Sequence, residues 1–186
     1  GGSEEIKSVL DKALLARRNA QNSGFNDRYA YYDERQFEYL FYNDTHMEMA
    51  PEALRNGEFQ LYIQPQIALE NLEPVSGEAL VRWILADGKI ISPGDFIPLF
   101  EQNGFIATLD LYLLEQLCKQ MRDWLDRGLH PLPIAINQSR KHLQSPNYLN
   151  DFCRIVDRYH IPHDLIVFEL TESAFADCEN QIINLF

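Results

Sequence analysis

The sequence contains little cysteine and no long apolar run, and each shortage excludes a class of protein. Its three cysteines, Cys118, Cys153 and Cys178, are odd in number and far apart, so they fit a reduced, cytoplasmic protein better than a disulfide framework or a zinc site. Cys118 and Cys153 fall within helical patterns, where we expect them to pack in the core. No stretch approaches the roughly 20 apolar residues of a membrane span, and no signal peptide is recognisable. Whether a longer natural protein has a membrane anchor or a sensor domain upstream of this sequence stays an open question.

Positive charge is also scarce. The chain has 16 Lys and Arg residues against 28 Asp and Glu residues, which gives a formal net charge of −12 at pH 7. Because a DNA or RNA polymer is held by a basic surface, this balance disfavours binding to such polymers. A small anionic ligand stays compatible with the charge, since local cations and bound metal ions can hold one.

The chain divides into two patterns, with a hydrophobic fraction of 46% and a charged fraction of 24% that are ordinary for a folded domain. Residues 1–33 contain a helical pattern over 4–20 and a short aromatic strand over 29–32, and residues 34–57 form a predicted connecting helix. From residue 58 onwards, strands alternate with helices, which predicts parallel pairing and an α/β layer. A complete eight-stranded barrel takes about 250 residues, so we expect only part of one over 58–186.

The strand around Glu78 carries the most informative pattern. Side chains alternate along a strand, so Glu78, Leu80 and Arg82 share one face, while Ala79 and Trp83 share the other. An acid and a cation on one buried face are costly unless they bind a metal, a substrate or each other. Two simpler explanations stay open, a structural ion pair between Glu78 and Arg82, and an Arg82 stem that only packs along the core.

Two further oxygen-bearing side chains lie at the ends of apolar strands. Asn137 follows the run 133–136 and Glu169 follows the run 165–168, and the reactive groups of α/β barrels lie at the C-terminal ends of the strands. With Glu78 they supply two carboxylates and one amide oxygen, a set that suits Mg²⁺ or Mn²⁺ better than zinc. For Asn137, a side-chain turn that closes the strand is the structural alternative.

Five sequence blocks, in this order, resemble the EAL family of cyclic di-GMP phosphodiesterases over residues 52–186. They comprise an opening strand with a Gln-Pro pair, the Glu-Ala-Leu strand that names the family, a loop and helix, an asparagine strand and a second acidic strand. The blocks are Glu58–Pro65, Glu78–Trp83, Ile91–Gly104, Ile136–Ser139 and Phe168–Ser173. The preceding segment, residues 1–33, resembles the tail of a GGDEF domain, although the GGDEF signature itself is absent.

The resemblance implies a partial TIM-like (β/α) barrel of the EAL type, first half only, behind an N-terminal helix–strand–helix segment. It also implies hydrolysis of cyclic di-GMP to linear pGpG in bacterial signalling. The family's paired aspartates and catalytic lysine would follow residue 186, so we expect this chain to be inactive as it stands. The alternative is a degenerate EAL domain that acts as a cyclic di-GMP receptor. A half barrel also exposes a strand edge, which favours a homodimer, and an upstream GGDEF or sensor domain fits the same resemblance.

The resemblance assigns roles to six residues. Glu78, Asn137 and Glu169 are implied as ligands of Mg²⁺ or Mn²⁺, and Glu78 and Glu169 as catalytic residues that act through metal-activated water. The residues implied to contact the dinucleotide are Gln64, Leu80 and Arg82.

Three places depart from the family pattern beside these residues. Phe100 stands where the family usually has a small residue, and Gln138 stands where leucine is usual. Residues Ile84–Gly88 lack the usual histidine-proline after the tryptophan. These departures bear on the affinity for the dinucleotide more than on metal binding.

Overall fold

The computed structural model describes residues 34–139 and 147–170, together with Ala13. Ala13 apart, the predicted helix over 4–20 and the predicted strand over 29–32 lie outside the described residues. No helix in the described ranges has both the length and the apolar character that crossing a membrane requires.

Contacts divide the chain into two compact units, Gly1–Ala50 and Pro51–Phe186. The second unit contains the sheet and all six residues to which the sequence assigns a role. The sequence-based division at residues 33 and 57 stays a prediction.

Helix α1 spans Glu34–Arg55, close to the connecting helix predicted over 34–57. At its C-terminal end, the Glu58 N–H donates to the Ala53 carbonyl at 2.9 Å. The intervening Gly57 has a φ of 72°, a left-handed conformation that glycine adopts without a steric cost. The helix is therefore followed by a glycine that turns the chain directly into the first strand.

The first two strands form an antiparallel hairpin. Strand β1, Phe59–Ile67, pairs with strand β2, Pro74–Ile84, so that Gln64 lies opposite Glu78. The prediction of parallel pairing from residue 58 onwards is wrong for this pair. Residues 68–73 are too few for a crossover, which takes a dozen or more residues, so the chain turns straight back on itself.

The later strands of the sheet are β3 (Ile90–Ile91), β4 (Ile134–Gln138) and β5 (Ile166–Leu170), and the order is β1-β2-β4-β5 with β3 beside β2. The pairs β2–β4 and β4–β5 are parallel, as predicted, whereas the short pair β2–β3 is antiparallel, so the prediction is wrong there too. Helices lie in the two connections, β2 to β4 and β4 to β5, because parallel neighbours need crossovers. The elements after β2 are β3 (Ile90–Ile91), α2 (Pro93–Asn103), α3 (Phe105–Asp126), β4 (Ile134–Gln138), α4 (Tyr148–Arg158), a short 3₁₀ turn (His163–Leu165) and β5 (Ile166–Leu170).

An aromatic cluster packs the helices against the hairpin. The rings of Phe59, Trp83, Phe96 and Phe100 have centroids 4.8–5.9 Å apart, and Phe105 contacts Phe100 at 4.9 Å. Phe100 is fully buried. Where the family that the sequence resembles usually has a small residue, this chain therefore fills its core with an additional ring.

The two described cysteines lie in different environments. Cys118 on α3 is fully buried, and this burial, with Glu115 as a smaller cause, raises the pKa of its thiol to about 12. It is the packing residue that was expected. The same expectation is wrong for Cys153, which is exposed, because α4 turns its neighbour Phe152 towards the core instead.

We expect Phe100→Ala to lower the free energy of unfolding by about 3–5 kcal/mol, because it removes a buried ring and leaves a cavity. Leu69→Ala is the matched control, since Leu69 is 88% exposed, and it should change stability by less than about 0.5 kcal/mol. Urea unfolding followed by circular dichroism measures both. Equal stability losses in the two variants would contradict a packing role for the Phe100 ring.

Candidate active site

The strand register brings the predicted site residues to one face of the sheet. Residues paired on adjacent strands point to the same side. Gln64 is paired with Glu78, and Asn137 with Glu169. Glu78 is also paired with Ala135, which lies two residues before Asn137 and therefore on the same face. We name this side, which carries Gln64, Glu78, Leu80, Arg82, Asn137 and Glu169, the polar face.

Burial along β2 follows the predicted alternation. Ala79 and Trp83 are buried on the helix-covered side, whereas Glu78, Leu80 and Arg82 are half-buried on the polar face. The helix-covered side is apolar and supports the site from behind. The ionisable groups are thus spared the full cost of desolvation that a closed core would impose.

Glu78 and Asn137 are in direct contact across two strands. The Asn137 Nδ2 donates to the Glu78 Oε1 at 2.7 Å. An amide that donates through its nitrogen keeps its oxygen as an acceptor, and the carboxylate keeps further lone pairs. The contact therefore orients two of the three predicted ligands and leaves oxygen atoms for a cation.

Arg82 is held away from Glu78. Its Nη1 donates to the Val81 carbonyl at 2.8 Å, and its guanidinium carbon lies 5.8 Å from the centroid of the Tyr62 ring. No ion pair between Arg82 and Glu78 occurs in the described part of the chain. A guanidinium has five N–H donors, so most of them are free to meet an anion.

The end of β4 is fixed by two helices. The Ser139 hydroxyl donates to the Glu101 Oε1 at 2.9 Å, and the Ser139 N–H lies 3.4 Å from the Asp110 Oδ2. Asp110 is buried on α3. Neither Asp110 nor Ser139 is among the site residues predicted from the sequence. An acid between the apolar Leu109 and Leu113 is a signal that could have identified Asp110.

Gln64 and Glu169 are less constrained. Both side chains are exposed, and neither makes a hydrogen bond or an ion pair with any residue that the structure describes. Within the part of the chain that the structure describes, no group of three His, Cys, Asp or Glu side chains could hold a metal ion. A cation at this face would therefore depend on the amide of Asn137 as well as on the two carboxylates, and such hard oxygen donors fit Mg²⁺ or Mn²⁺.

The chain is similar in sequence to known proteins. The family model described as "EAL domain" matches residues 47–185. A relative from Escherichia coli K12, the probable cyclic di-GMP phosphodiesterase PdeB, is 36% identical over 130 residues, which is 68% of this chain and 24% of PdeB. The bifunctional diguanylate cyclase/cyclic di-GMP phosphodiesterase MucR of Pseudomonas aeruginosa is 30% identical over 135 residues, 72% of this chain and 20% of MucR.

Solved structures show the same fold. The PaMucR phosphodiesterase in complex with c-di-GMP superimposes with a TM-score of 0.69 and 28% identity, covering 75% of this chain and 57% of the other. This likeness confirms that the α/β fold is a partial EAL-type barrel. The chain spans only 16% to 54% of the length of the curated relatives it matches.

Asn137→Asp tests whether Asn137 and Glu78 form a cation site. The change sets a second carboxylate about where the amide now contacts Glu78, so in EDTA we expect a stability loss of about 1–3 kcal/mol. Adding Mg²⁺ or Mn²⁺ should recover much of the loss, because a cation that binds the native state stabilises it. Thermal unfolding with and without each metal is the measurement.

Asn71→Asp is the matched control for this change. Asn71 donates to Glu73 at 3.0 Å in an exposed turn, where solvent screens the added charge. This variant should unfold like the parent chain, with or without metal. An Asn137→Asp variant that behaves in the same way would rule out a cation site at Glu78 and Asn137.

Proposed function

Since the chain belongs to the EAL domain family, we propose that it forms part of a metal-dependent phosphodiesterase that hydrolyses cyclic di-GMP to linear pGpG. The observation that supports this most strongly is the hydrogen bond between Glu78 and Asn137. It joins two predicted ligands that are far apart in the sequence and lie on different strands. A role in sheet stability alone would not require oxygen donors from three strands on one face.

We assign the cation to Glu78, Asn137 and Glu169, which present two carboxylates and one amide oxygen on the polar face. When bound, Mg²⁺ or Mn²⁺ would lower the pKa of a coordinated water and neutralise charge on the phosphodiester. Glu78 is pre-positioned by Asn137, so less ordering of its side chain is needed on binding.

The part of the polar face that β1 and β2 form would recognise the dinucleotide. Arg82, held at Val81 and over the ring of Tyr62, offers N–H donors to phosphate oxygens. Gln64, exposed opposite Glu78, offers an amide to a guanine edge or a phosphate, and Leu80 supplies an apolar contact between them. MucR and PdeB, whose names give them this substrate, support its assignment here.

The proposed reaction is a simple hydrolysis. The oxygen of one water forms a bond to one of the two phosphorus atoms, and the bond from that phosphorus to the ribose 3′ oxygen breaks. The leaving oxygen takes a proton, and the product is pGpG with a free 5′ phosphate. On the polar face, the carboxylates of Glu78 and Glu169 are separate from the positive Arg82, which suits the binding of a cation beside a phosphodiester.

We expect Glu78→Gln in the full-length protein to lower the turnover of cyclic di-GMP by about 100-fold or more, because losing even an outer partner of a metal ligand costs 10–100-fold. Production of pGpG with Mg²⁺ or Mn²⁺ is measured by chromatography. Binding of cyclic di-GMP is measured in parallel by calorimetry, so that recognition and chemistry are separated.

Glu70→Gln is the control, since Glu70 is an exposed carboxylate in the β1–β2 turn and its loss should leave turnover unchanged. Metal-dependent turnover that vanishes only in the Glu78 variant is the expected result. If the unsubstituted protein binds cyclic di-GMP but does not hydrolyse it, the protein would be a receptor and not an enzyme. An absence of both would overturn the assignment of this dinucleotide.

A further inference from the structure

Gln138 is a buried polar residue on the apolar side of β4. It is 3% exposed and shares the helix-covered face with the buried Ile134 and Ile136. An amide there is costly unless both its donor and its acceptor are satisfied. The reason for a glutamine at this position must therefore lie in its hydrogen bonds.

Both ends of the Gln138 amide are used. Its Nε2 donates to the main-chain carbonyl of Asn137 at 2.9 Å, and its Oε1 accepts from the hydroxyl of Tyr148. Tyr148 is the first residue of α4 and is itself buried. A continuous chain of hydrogen bonds thus runs from α4 through Gln138 to the backbone of Asn137, and from the Asn137 side chain to Glu78.

We propose that Gln138 and Tyr148 are positioning residues, which fix the Asn137 backbone so that its amide meets both Glu78 and the cation. This inference rests on the proposed metal site at Glu78 and Asn137. Neither residue touches the cation, and both act through Asn137. The pair also makes the geometry of the site depend on where the first turn of α4 lies.

The chemistry of the tyrosine supports a constant donor role. Burial, and to a smaller extent the negative charge of Asp110, raises the pKa of Tyr148, so its hydroxyl stays protonated throughout the physiological range. The glutamine amide does not titrate. The chain of hydrogen bonds consequently keeps one direction, from Tyr148 to Gln138 to Asn137, throughout the physiological pH range.

The double substitution Gln138→Leu with Tyr148→Phe tests the proposal, because it removes the buried amide and the buried hydroxyl together, so that neither is left without the other. We expect the midpoint of thermal unfolding to stay near that of the unsubstituted protein. In the metal-free protein, the Asn137 side-chain amide signal in a ¹⁵N NMR spectrum should lose its protection against hydrogen exchange. The dissociation constant for Mn²⁺, measured by electron paramagnetic resonance, should rise about 10–100-fold.

Tyr159→Phe is the matched control. Tyr159 lies at the end of the same helix, and its hydroxyl donates to the Glu115 Oε1 at 2.7 Å, far along the chain from Asn137. This change should alter neither the Asn137 amide signal nor the Mn²⁺ affinity.

The NMR signal separates failure of this proposal from failure of the proposed function. An Asn137 amide that keeps its protection in the double variant would overturn the positioning role, whatever the enzyme does. A parent protein that shows the protected amide but binds no Mn²⁺ would overturn the metal site, and with it any positioning for a cation. If Tyr159→Phe lost as much Mn²⁺ affinity as the double variant, the loss would be due to general destabilisation and not to the positioning of Asn137.

Discussion

The register of the sheet is the constraint on which the rest of the site depends. Side chains alternate with a period of two, so a shift by one residue in the pairing of β2 with β4 would turn Glu78 or Asn137 into the helix-covered side. The core prevents such a shift. Trp83 packs against Phe59 and Phe96, and a slipped strand would expose that ring while burying a carboxylate. The apolar side thus fixes where the polar face lies.

Within the polar face, the structure keeps opposite charges apart. Glu78 turns towards β4 and meets an amide, whereas Arg82 turns towards β1 and lies over the ring of Tyr62. An ion pair between them would satisfy both groups and leave neither for a ligand. Their separation leaves a negative site beside a positive one, which is the arrangement that a cation and a phosphodiester need together.

The local parts of this site were predictable from the sequence, and the long-range parts were not. The alternation on β2 and the polar residues at the ends of β4 and β5 depend only on residues that are close in the sequence. The shared face of Glu78, Leu80 and Arg82 was therefore predicted correctly. The antiparallel pairing of β1 was missed because the alternating pattern of strands and helices outweighed the short connection. The contact between Asn137 and Glu78, and the one between Gln138 and Tyr148, depend on packing between elements that no local pattern records.

The three candidate ligands differ in how far they are prepared for a cation. Glu78 and Asn137 hold each other, and the backbone after Asn137 is fixed through Ser139 by Glu101 and Asp110. Glu169 is exposed on β5, the last strand in the described order, and ordering such a side chain costs up to about 1.5–2 kcal/mol. A cation that draws in Glu169 would bind β5 to the rigid pair. The affinity for the metal would then depend on how firmly β5 is held in place. Residues that pack on β5, such as Phe152 of α4 against Phe168, would influence the site without touching it.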